Sequence, residues 1–124
     1  SSGHFFLKLP FGFFEVPMIV TLKILEELSV SGKTFTDYIK PLQKYFHSGE
    51  LNFEVDDKQV VFDRLKEKYS DNLQYDFDGM SFEFDDFWFN VRPSNTENKV
   101  RLNLEAKTEE IMIKKKNEVS LIIK

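Results

Sequence analysis

The architecture of this chain is most clearly predicted by residues 80–92, which read Met80-Ser81-Phe82-Glu83-Phe84-Asp85-Asp86-Phe87-Trp88-Phe89-Asn90-Val91-Arg92. Large apolar side chains take every second position on both sides of Asp85-Asp86. A period of two is typical of half-buried strands, and adjacent polar residues between two such runs indicate a turn. The stretch therefore predicts two antiparallel strands with one apolar face.

The same pattern extends outward in both directions. Residues 100–106 and 51–55 alternate in the same way, and Asp78-Gly79 is a strong turn signal. Between the strands, Asp56 or Asp57 can cap a helix whose apolar residues recur at four-residue steps, and Thr108 can cap a final helix. Residues 51–124 thus predict an α+β fold of order β-α-β-β-β-α, an antiparallel sheet with helices on one face.

The first part of the chain follows a different, helical pattern. Residues 5–14 predict a strand and a tight loop, with no apparent partner strand, so we expect further sequence upstream. A helix is expected from Pro17 to a stop at Gly32. Thr34 and Asp37 begin a second helix running to about Phe46, which Pro41 kinks or divides. We place the boundary at the break His47-Ser48-Gly49, giving one domain over residues 1–48 and another over 49–124.

Composition limits the kinds of function. The 124 residues include 41% hydrophobic residues, carry a net charge of −4 and contain no cysteine, which excludes disulfides and thiolate chemistry. An acidic balance does not suit a binder of long nucleic acids, whereas a small anion needs only a few donors. No apolar run reaches the roughly 20 residues of a membrane span, and no signal peptide is visible. We expect a soluble, cytoplasmic protein.

The loop after residue 92 offers a concentration of anion-binding groups. Arg92 ends a strand and can present a bidentate guanidinium to phosphate oxygens. Ser94, Asn95 and Thr96 add hydroxyl and amide donors, and Arg101 with Lys99 adds charge, leaving a local surplus of positive charge over residues 92–101. Ordinary hairpin loops have the same composition, so this pattern alone leaves a purely structural loop open.

Other polar residues have simpler explanations. Helix capping accounts for Asp56-Asp57 and a turn accounts for Asp85-Asp86, while Lys114–Lys116 form a solvated helix face. His47 suits a structural role at the break. No nucleophile–base pair, metal-ligand spacing or glycine-rich phosphate loop is visible.

At this point a family resemblance is evident. The run Asp86-Phe87-Trp88-Phe89-Asn90-Val91-Arg92-Pro93-Ser94-Asn95-Thr96-Glu97, with residues 100–106, closely resembles the C-terminal domain of the α-D-phosphohexomutases, in the phosphomannomutase/phosphoglucomutase branch. Residues 45–55 are similar to the family's entry into that domain, and Ser2-Gly3-His4-Phe5-Phe6 to the end of the sugar-binding loop of its third domain. Asn98 departs from the family, which commonly has proline there.

The resemblance implies a function for the parent protein. Such enzymes interconvert hexose 1-phosphate and hexose 6-phosphate through a hexose 1,6-bisphosphate. A phosphoserine of the first domain transfers the phosphoryl group, and Mg²⁺ bound by the second domain assists. The fourth domain clamps the phosphate that is not reacting.

Residue roles and partners follow from the same resemblance. By matching positions, Arg92, Ser94, Asn95 and Thr96 form the clamp, Arg101 supports its charge, and Ser2 and His4 match sugar-binding residues. Residues 1–48 would be the helical tail of an α/β third domain, so the chain would be inactive alone. Its partners would be a phosphosugar and the N-terminal domains of the parent chain, with no nucleic acid or membrane. The fourth domain would move on a hinge near His47-Ser48-Gly49. Phosphoglucosamine or phosphoacetylglucosamine mutases, or a non-catalytic module that binds phosphorylated ligands, are the alternatives.

Overall fold

The computed structural model describes residues 4–124 and divides the chain into two compact units, with the division after Gln43. The first unit contains strands β1 (Phe6–Leu9) and β2 (Gly12–Glu15) and helices α1 (Pro17–Ser31) and α2 (Phe35–Ile39). The second contains strands β3 (Phe46–His47), β4 (Leu51–Glu54), β5 (Leu73–Asp76), β6 (Met80–Glu83), β7 (Phe87–Pro93) and β8 (Lys99–Ala106), with helices α3 (Lys58–Tyr69) and α4 (Glu109–Ile123).

The first unit confirms the predicted helix starts and corrects two predictions. Pro17 opens α1, which ends before Gly32, and the Thr34 side chain accepts a hydrogen bond from the Asp37 amide to begin α2. The predicted loop after β1 is instead a second strand, since β1 and β2 pair as an antiparallel hairpin. Helix α2 ends at Ile39 and does not reach Phe46, because Pro41, which has no amide hydrogen to donate, lies in a short 3₁₀ turn.

The second unit is an antiparallel sheet of order β3-β8-β7-β6-β5, with β4 also paired to β8. This confirms the α+β fold, and Asp57 and Thr108 cap α3 and α4 as expected. Two strands were missing from the predicted order. Strand β5 is short, mostly exposed and paired to β6 with an irregular register, so it lacks the alternation that identifies a strand. Strand β3 has only two residues.

One face of the sheet is covered by α3 and α4, as predicted. The shared core contains Leu65 of α3, Val119 and Ile123 of α4, and the alternate residues Phe82, Phe89, Leu102 and Leu104 of the strands. Strands β7 and β8 therefore contribute every second side chain to the core, and the intervening side chains lie on the opposite face.

The segment joining β3 to β4 is a β-bulge along β8. His47 pairs with Glu105 and Leu51 pairs with Leu102, so residues 48–50 lie opposite only residues 103–104. The Ser48 amide donates to the Leu104 carbonyl (2.8 Å) and the Ser48 hydroxyl accepts from the Leu104 amide (3.1 Å). Gly49 supplies the positive φ, 72°, that the bulge requires.

Residues 47–49, which the sequence suggested as a break, lie along β8 in the structure. His47 pairs with β8 and Ser48 is hydrogen-bonded to it, and the two compact units divide after Gln43. The predicted domain boundary after Ser48 and the hinge near it stay predictions. Whether the first unit is part of a sugar-binding domain stays a prediction. Among the described residues, no helix is both long and apolar enough to cross a bilayer.

Candidate anion-binding site

The site is built on the hairpin formed by β7 and β8. Arg92 and Arg101 are direct partners in its register, and the core residues that flank them in sequence, Val91, Val100 and Leu102, are fully buried. Alternation therefore places both arginines on the face opposite the core. Like charges directly opposite each other in a sheet are unfavourable, so the pair needs a counter-charge.

Glu50 supplies that counter-charge. Its Oε2 accepts a hydrogen bond from Nη2 of Arg92 at 3.0 Å, and its Oε1 lies 3.8 Å from Nη1 of Arg101. The hydrogen bond from Arg92, reinforced by the charge of Arg101, holds the pKa of the Glu50 carboxyl below its ordinary value. The side chains of Arg92, Arg101 and Glu50 are each between 35% and 39% exposed, so solvent reaches the cluster.

Both arginines keep unused hydrogen-bonding capacity. In the part of the chain that the structure describes, the buried Nε atoms of Arg92 and Arg101 have no hydrogen-bond partner. A guanidinium has five N–H donors, and Arg92 uses one of them on Glu50. The site can therefore satisfy more acceptor oxygens than a single carboxylate provides.

The backbone that carries Arg92 is closely packed against the turn before β6. Gly79 has a φ of 84°, and a Cβ atom there would lie 2.4 Å from the Val91 carbonyl oxygen and 2.6 Å from the Arg92 Cα. Only glycine fits so close to another backbone segment with this dihedral angle. The turn thus helps to fix the point from which the Arg92 side chain emerges.

The loop between the strands is held by its own hydrogen bonds. Ser94 is buried, its amide donates to the Lys99 carbonyl at 2.8 Å, and its hydroxyl accepts from the Glu97 amide at 3.3 Å. Ser94 was predicted to bind the anion directly. This role stays a prediction: the hydroxyl accepts a hydrogen bond that shapes the loop, and its proton stays free to donate to a ligand.

Two further contacts join this loop to neighbouring elements. Nζ of Lys58, the first residue of α3, donates to the Ser94 carbonyl at 2.7 Å, and the Val55 amide donates to the Asn98 carbonyl at 3.1 Å. Asn95 and Thr96 are exposed at the tip, and the structure describes no hydrogen bond of their side chains. The tip therefore presents its polar groups to solvent on a supported base.

The local charge differs from the sequence expectation. Lys99 lies 3.0 Å from Glu97 and 3.8 Å from Glu54, and the hydrogen bond to Glu97 raises the pKa of Lys99. Glu50 contacts both arginines, so the three cations of residues 92–101 have three carboxylates within ion-pair distance, those of Glu50, Glu54 and Glu97. Two of these carboxylates, Glu50 and Glu54, come from another part of the sequence.

The remaining predicted residues lie elsewhere or outside the described part. His4 is exposed at the hairpin of the first unit, where its Nδ1 contacts Oε1 of Glu15, and Ser2 falls outside the described residues. Nδ1 of His47 accepts a hydrogen bond from the Gly49 amide. Residues 4–124 contain no group of three or more His, Asp or Glu side chains that could hold a metal ion.

Sequence reasoning missed Glu50 and Lys58 as parts of the site. Each contacts a residue of the hairpin that is distant in sequence: Glu50 lies 42 residues before Arg92, and Lys58 lies 36 residues before Ser94. Glu50 reaches Arg101 only because β4 pairs with β8 in the observed register. Glu50 falls within residues 45–55, but that resemblance assigns it no role, and Lys58 lies in no motif.

Comparison with known proteins gives a consistent result. The model of the phosphoglucomutase/phosphomannomutase C-terminal domain matches residues 50–121. The chain is 40% identical over 122 residues to a phosphomannomutase of Methanocaldococcus jannaschii, covering 98% of this chain and 27% of that protein. It is 39% identical to phosphohexose mutases of Xanthomonas campestris pv. campestris, covering 86% of this chain and 24% of that protein.

A third relative has a different name. A phosphoglucosamine mutase of Methanococcus maripaludis is 32% identical over 113 residues, covering 82% of this chain and 24% of that protein. The chain thus spans about a quarter of the length of the curated relatives it matches.

Proposed function

Because the chain belongs to the phosphoglucomutase/phosphomannomutase family, of which it contains the C-terminal domain, we propose that its β7–β8 hairpin clamps the phosphate of a phosphosugar. Arg92 and Arg101 supply the charge, and Ser94, Asn95 and Thr96 supply neutral donors. The observation that carries the proposal is the pair of facing arginines with unused donors, beside a loop fixed by its own hydrogen bonds.

The physical reason lies in the chemistry of a dianion. Water binds a phosphate dianion strongly, so a protein site must replace many hydrogen bonds at once. Guanidinium groups donate in a planar fork that matches two phosphate oxygens, and the bonds are strengthened by charge. Such a site recognises the phosphate group and not the sugar, so it tolerates a hexose presented with either end foremost.

The activity of the parent protein is part of the proposal. We propose a mutase that interconverts hexose 1-phosphate and hexose 6-phosphate, with the phosphoryl-transferring serine and the Mg²⁺ site outside this chain. Binding energy from the clamped, unreactive phosphate would be used at the reacting end. His4 and Ser2 would contact the sugar, and the cytoplasm would be the place of action. The 124-residue chain alone is expected to be catalytically inactive.

A second candidate of the same superfamily is a phosphoglucosamine mutase. The similarity to such an enzyme of Methanococcus maripaludis favours it, and a phosphate clamp alone does not discriminate between hexose and hexosamine phosphates. A phosphoacetylglucosamine mutase and a non-catalytic module that binds phosphorylated ligands stay as further alternatives. Assays of the parent protein with each sugar phosphate would separate them.

The clamp is tested by titrating the 124-residue chain with glucose 6-phosphate and following its NMR spectrum. We expect the amides of residues 94–97 and the Nε–H signal of Arg92 to shift, with no shift on addition of glucose. Arg92→Ala should weaken binding by about 1.5–3 kcal/mol, the range for a hydrogen bond to a charged group. Arg92→Lys should also weaken it, because an ammonium cannot replace the fork.

The matched control is Arg64→Ala, which removes an exposed arginine from α3 and should leave the affinity unchanged. If glucose 6-phosphate shifts no signal in the hairpin, or shifts the same signals equally in Arg92→Ala, the proposed clamp is wrong.

A further inference from the structure

Glu50 occupies the arginine pair in a way that resembles a bound anion. Its two carboxylate oxygens are divided between two cations, Oε2 toward Arg92 and Oε1 toward Arg101. The side-chain amide of Asn103 also helps to lower the pKa of this carboxyl. No cation other than these two arginines lies within ion-pair distance of Glu50 in residues 4–124.

The position of Glu50 follows from the backbone. The bulge at Ser48 and Gly49 adds one residue between His47 and Leu51. Leu51 packs against the core, so its neighbour Glu50 falls on the opposite face of the sheet, the face that carries Arg101.

The carboxylate is a poor match for the donors around it. Only one of its contacts is a hydrogen bond, the distance to Arg101 is 3.8 Å, and the Nε atoms of both arginines lack partners. A phosphate group has more acceptor oxygens and a larger charge, and so can use donors that a carboxylate leaves unsatisfied. The Glu50 side chain is 37% exposed, so it can move into water without unfolding its surroundings.

We propose that Glu50 is an internal counter-anion that binds Arg92 and Arg101 when the clamp is empty and that a phosphate displaces it on binding. The proposal rests on the proposed phosphate clamp. In this exchange the two arginines always have an anionic partner. Release of the phosphate then does not leave two facing cations unpaired, and this favours the departure and reorientation that a mutase requires.

The exchange makes a measurable prediction for Glu50→Gln, which keeps the size of the side chain and removes its charge. Without the competitor, the 124-residue chain should bind inorganic phosphate about two- to fivefold more tightly, the range expected from an exposed ion pair. In the wild-type chain, NMR should show the Glu50 carboxylate carbon shifting together with the Nε–H signals of both arginines as phosphate is added.

A matched control separates displacement from a general change in charge. Glu54→Gln removes a carboxylate from β4 near the same hairpin, where Glu54 contacts Lys99 and neither arginine, and its side chain is 86% exposed. We expect its effect on phosphate affinity to be clearly smaller than that of Glu50→Gln. Unchanged amide spectra away from the site would verify that both variants fold.

The outcomes distinguish this inference from the clamp itself. If phosphate shifts the hairpin signals but Glu50→Gln binds it equally or more weakly, or gains no more than Glu54→Gln, Glu50 is not a competitor and only this inference fails. If phosphate shifts no hairpin signal in either the wild-type chain or Glu50→Gln, the clamp fails, and the inference fails with it.

Discussion

At the scale of single residues, side chains distant in sequence prepare the hairpin. The Arg92 guanidinium can donate two parallel hydrogen bonds, and its position depends on Gly79, which packs against the Arg92 backbone. Glu50 accepts a hydrogen bond from Arg92 and balances its charge. Ser94 is buried, and its hydroxyl accepts a hydrogen bond from the Glu97 amide that stabilises the loop. The Ser94 carbonyl in turn accepts a hydrogen bond from the Lys58 ammonium group.

Lys58 therefore gives a prediction at this scale. Lys58→Met keeps an unbranched side chain but removes the donor to the Ser94 carbonyl. We expect faster amide hydrogen exchange in residues 94–99 and a loss of about 1 kcal/mol in the free energy of unfolding, since hydrogen bonds to charged groups contribute about 1.5–3 kcal/mol and this one is partly solvated. Phosphate affinity should fall as well.

The control for Lys58 is Lys114→Met on the exposed side of α4, which should change none of these quantities. Equal hydrogen exchange in the wild-type chain and in Lys58→Met would show that the loop does not need this contact.

At the scale of elements, the two helices of the second unit are joined by Glu118. This residue of α4 accepts a hydrogen bond from Tyr69 of α3 at 3.0 Å and lies 3.0 Å from Lys115 and 3.3 Å from Lys68. The hydrogen bond from Lys115 and the other contacts lower the pKa of the Glu118 carboxyl, whereas burial opposes them. Burial and the hydrogen bond to Glu118 raise the pKa of the Tyr69 hydroxyl.

Stability should consequently depend on pH through Glu118. A carboxyl whose pKa is lower in the folded than in the unfolded state stabilises the fold above its unfolded-state pKa, and this contribution is lost as the pH falls through the folded-state pKa. Glu118→Gln should therefore lower the free energy of unfolding at neutral pH, and the difference from wild type should shrink as the solution is acidified below the ordinary carboxyl range.

Urea unfolding at several pH values measures this difference. The control is Glu67→Gln, an exposed residue of α3 for which no ion pair is seen in the described part of the chain, and its effect should be small at every pH. A Glu118→Gln effect that stays constant from neutral to acidic pH would exclude the ionised carboxylate as its cause.

At the scale of the whole molecule, the chain consists of two units with different degrees of internal burial. The second unit contains the core cluster, with Leu65, Phe89, Leu102 and Leu104 at most 1% exposed. In the first unit, by contrast, helix α1 has no buried residue, and Met18, Leu22 and Leu25 are each more than half exposed. The second unit is therefore the part expected to fold independently.

This expectation can be tested by truncation. A chain of residues 44–124 should unfold cooperatively in urea. A chain of residues 51–124 should be less stable, because it lacks β3, the two hydrogen bonds between Ser48 and Leu104, and Glu50. Both chains keep the same helices and core, so each serves as the control for the other. Equal unfolding midpoints would show that residues 44–50 contribute nothing to the fold.

The sequence by itself determined the helices, the alternating strands, the helix caps and the hairpin that carries Arg92, because each depends on neighbours a few residues apart. It also indicated the family through one continuous run, residues 86–106. Strands β2, β3 and β5 were not predicted, since they are short and form through pairing with partners and not through their own pattern. Helix α2 was predicted to run to about Phe46 and ends at Ile39.

Only the tertiary structure decided the charge of the candidate site. Residues 92–101 have a positive surplus in sequence, whereas in space Glu50 and Glu54 of a different segment form ion pairs with their cations. The physical reason is that side-chain electrostatics depends on distance in space. The β4–β8 register places an anion beside two arginines that lie far from it in sequence.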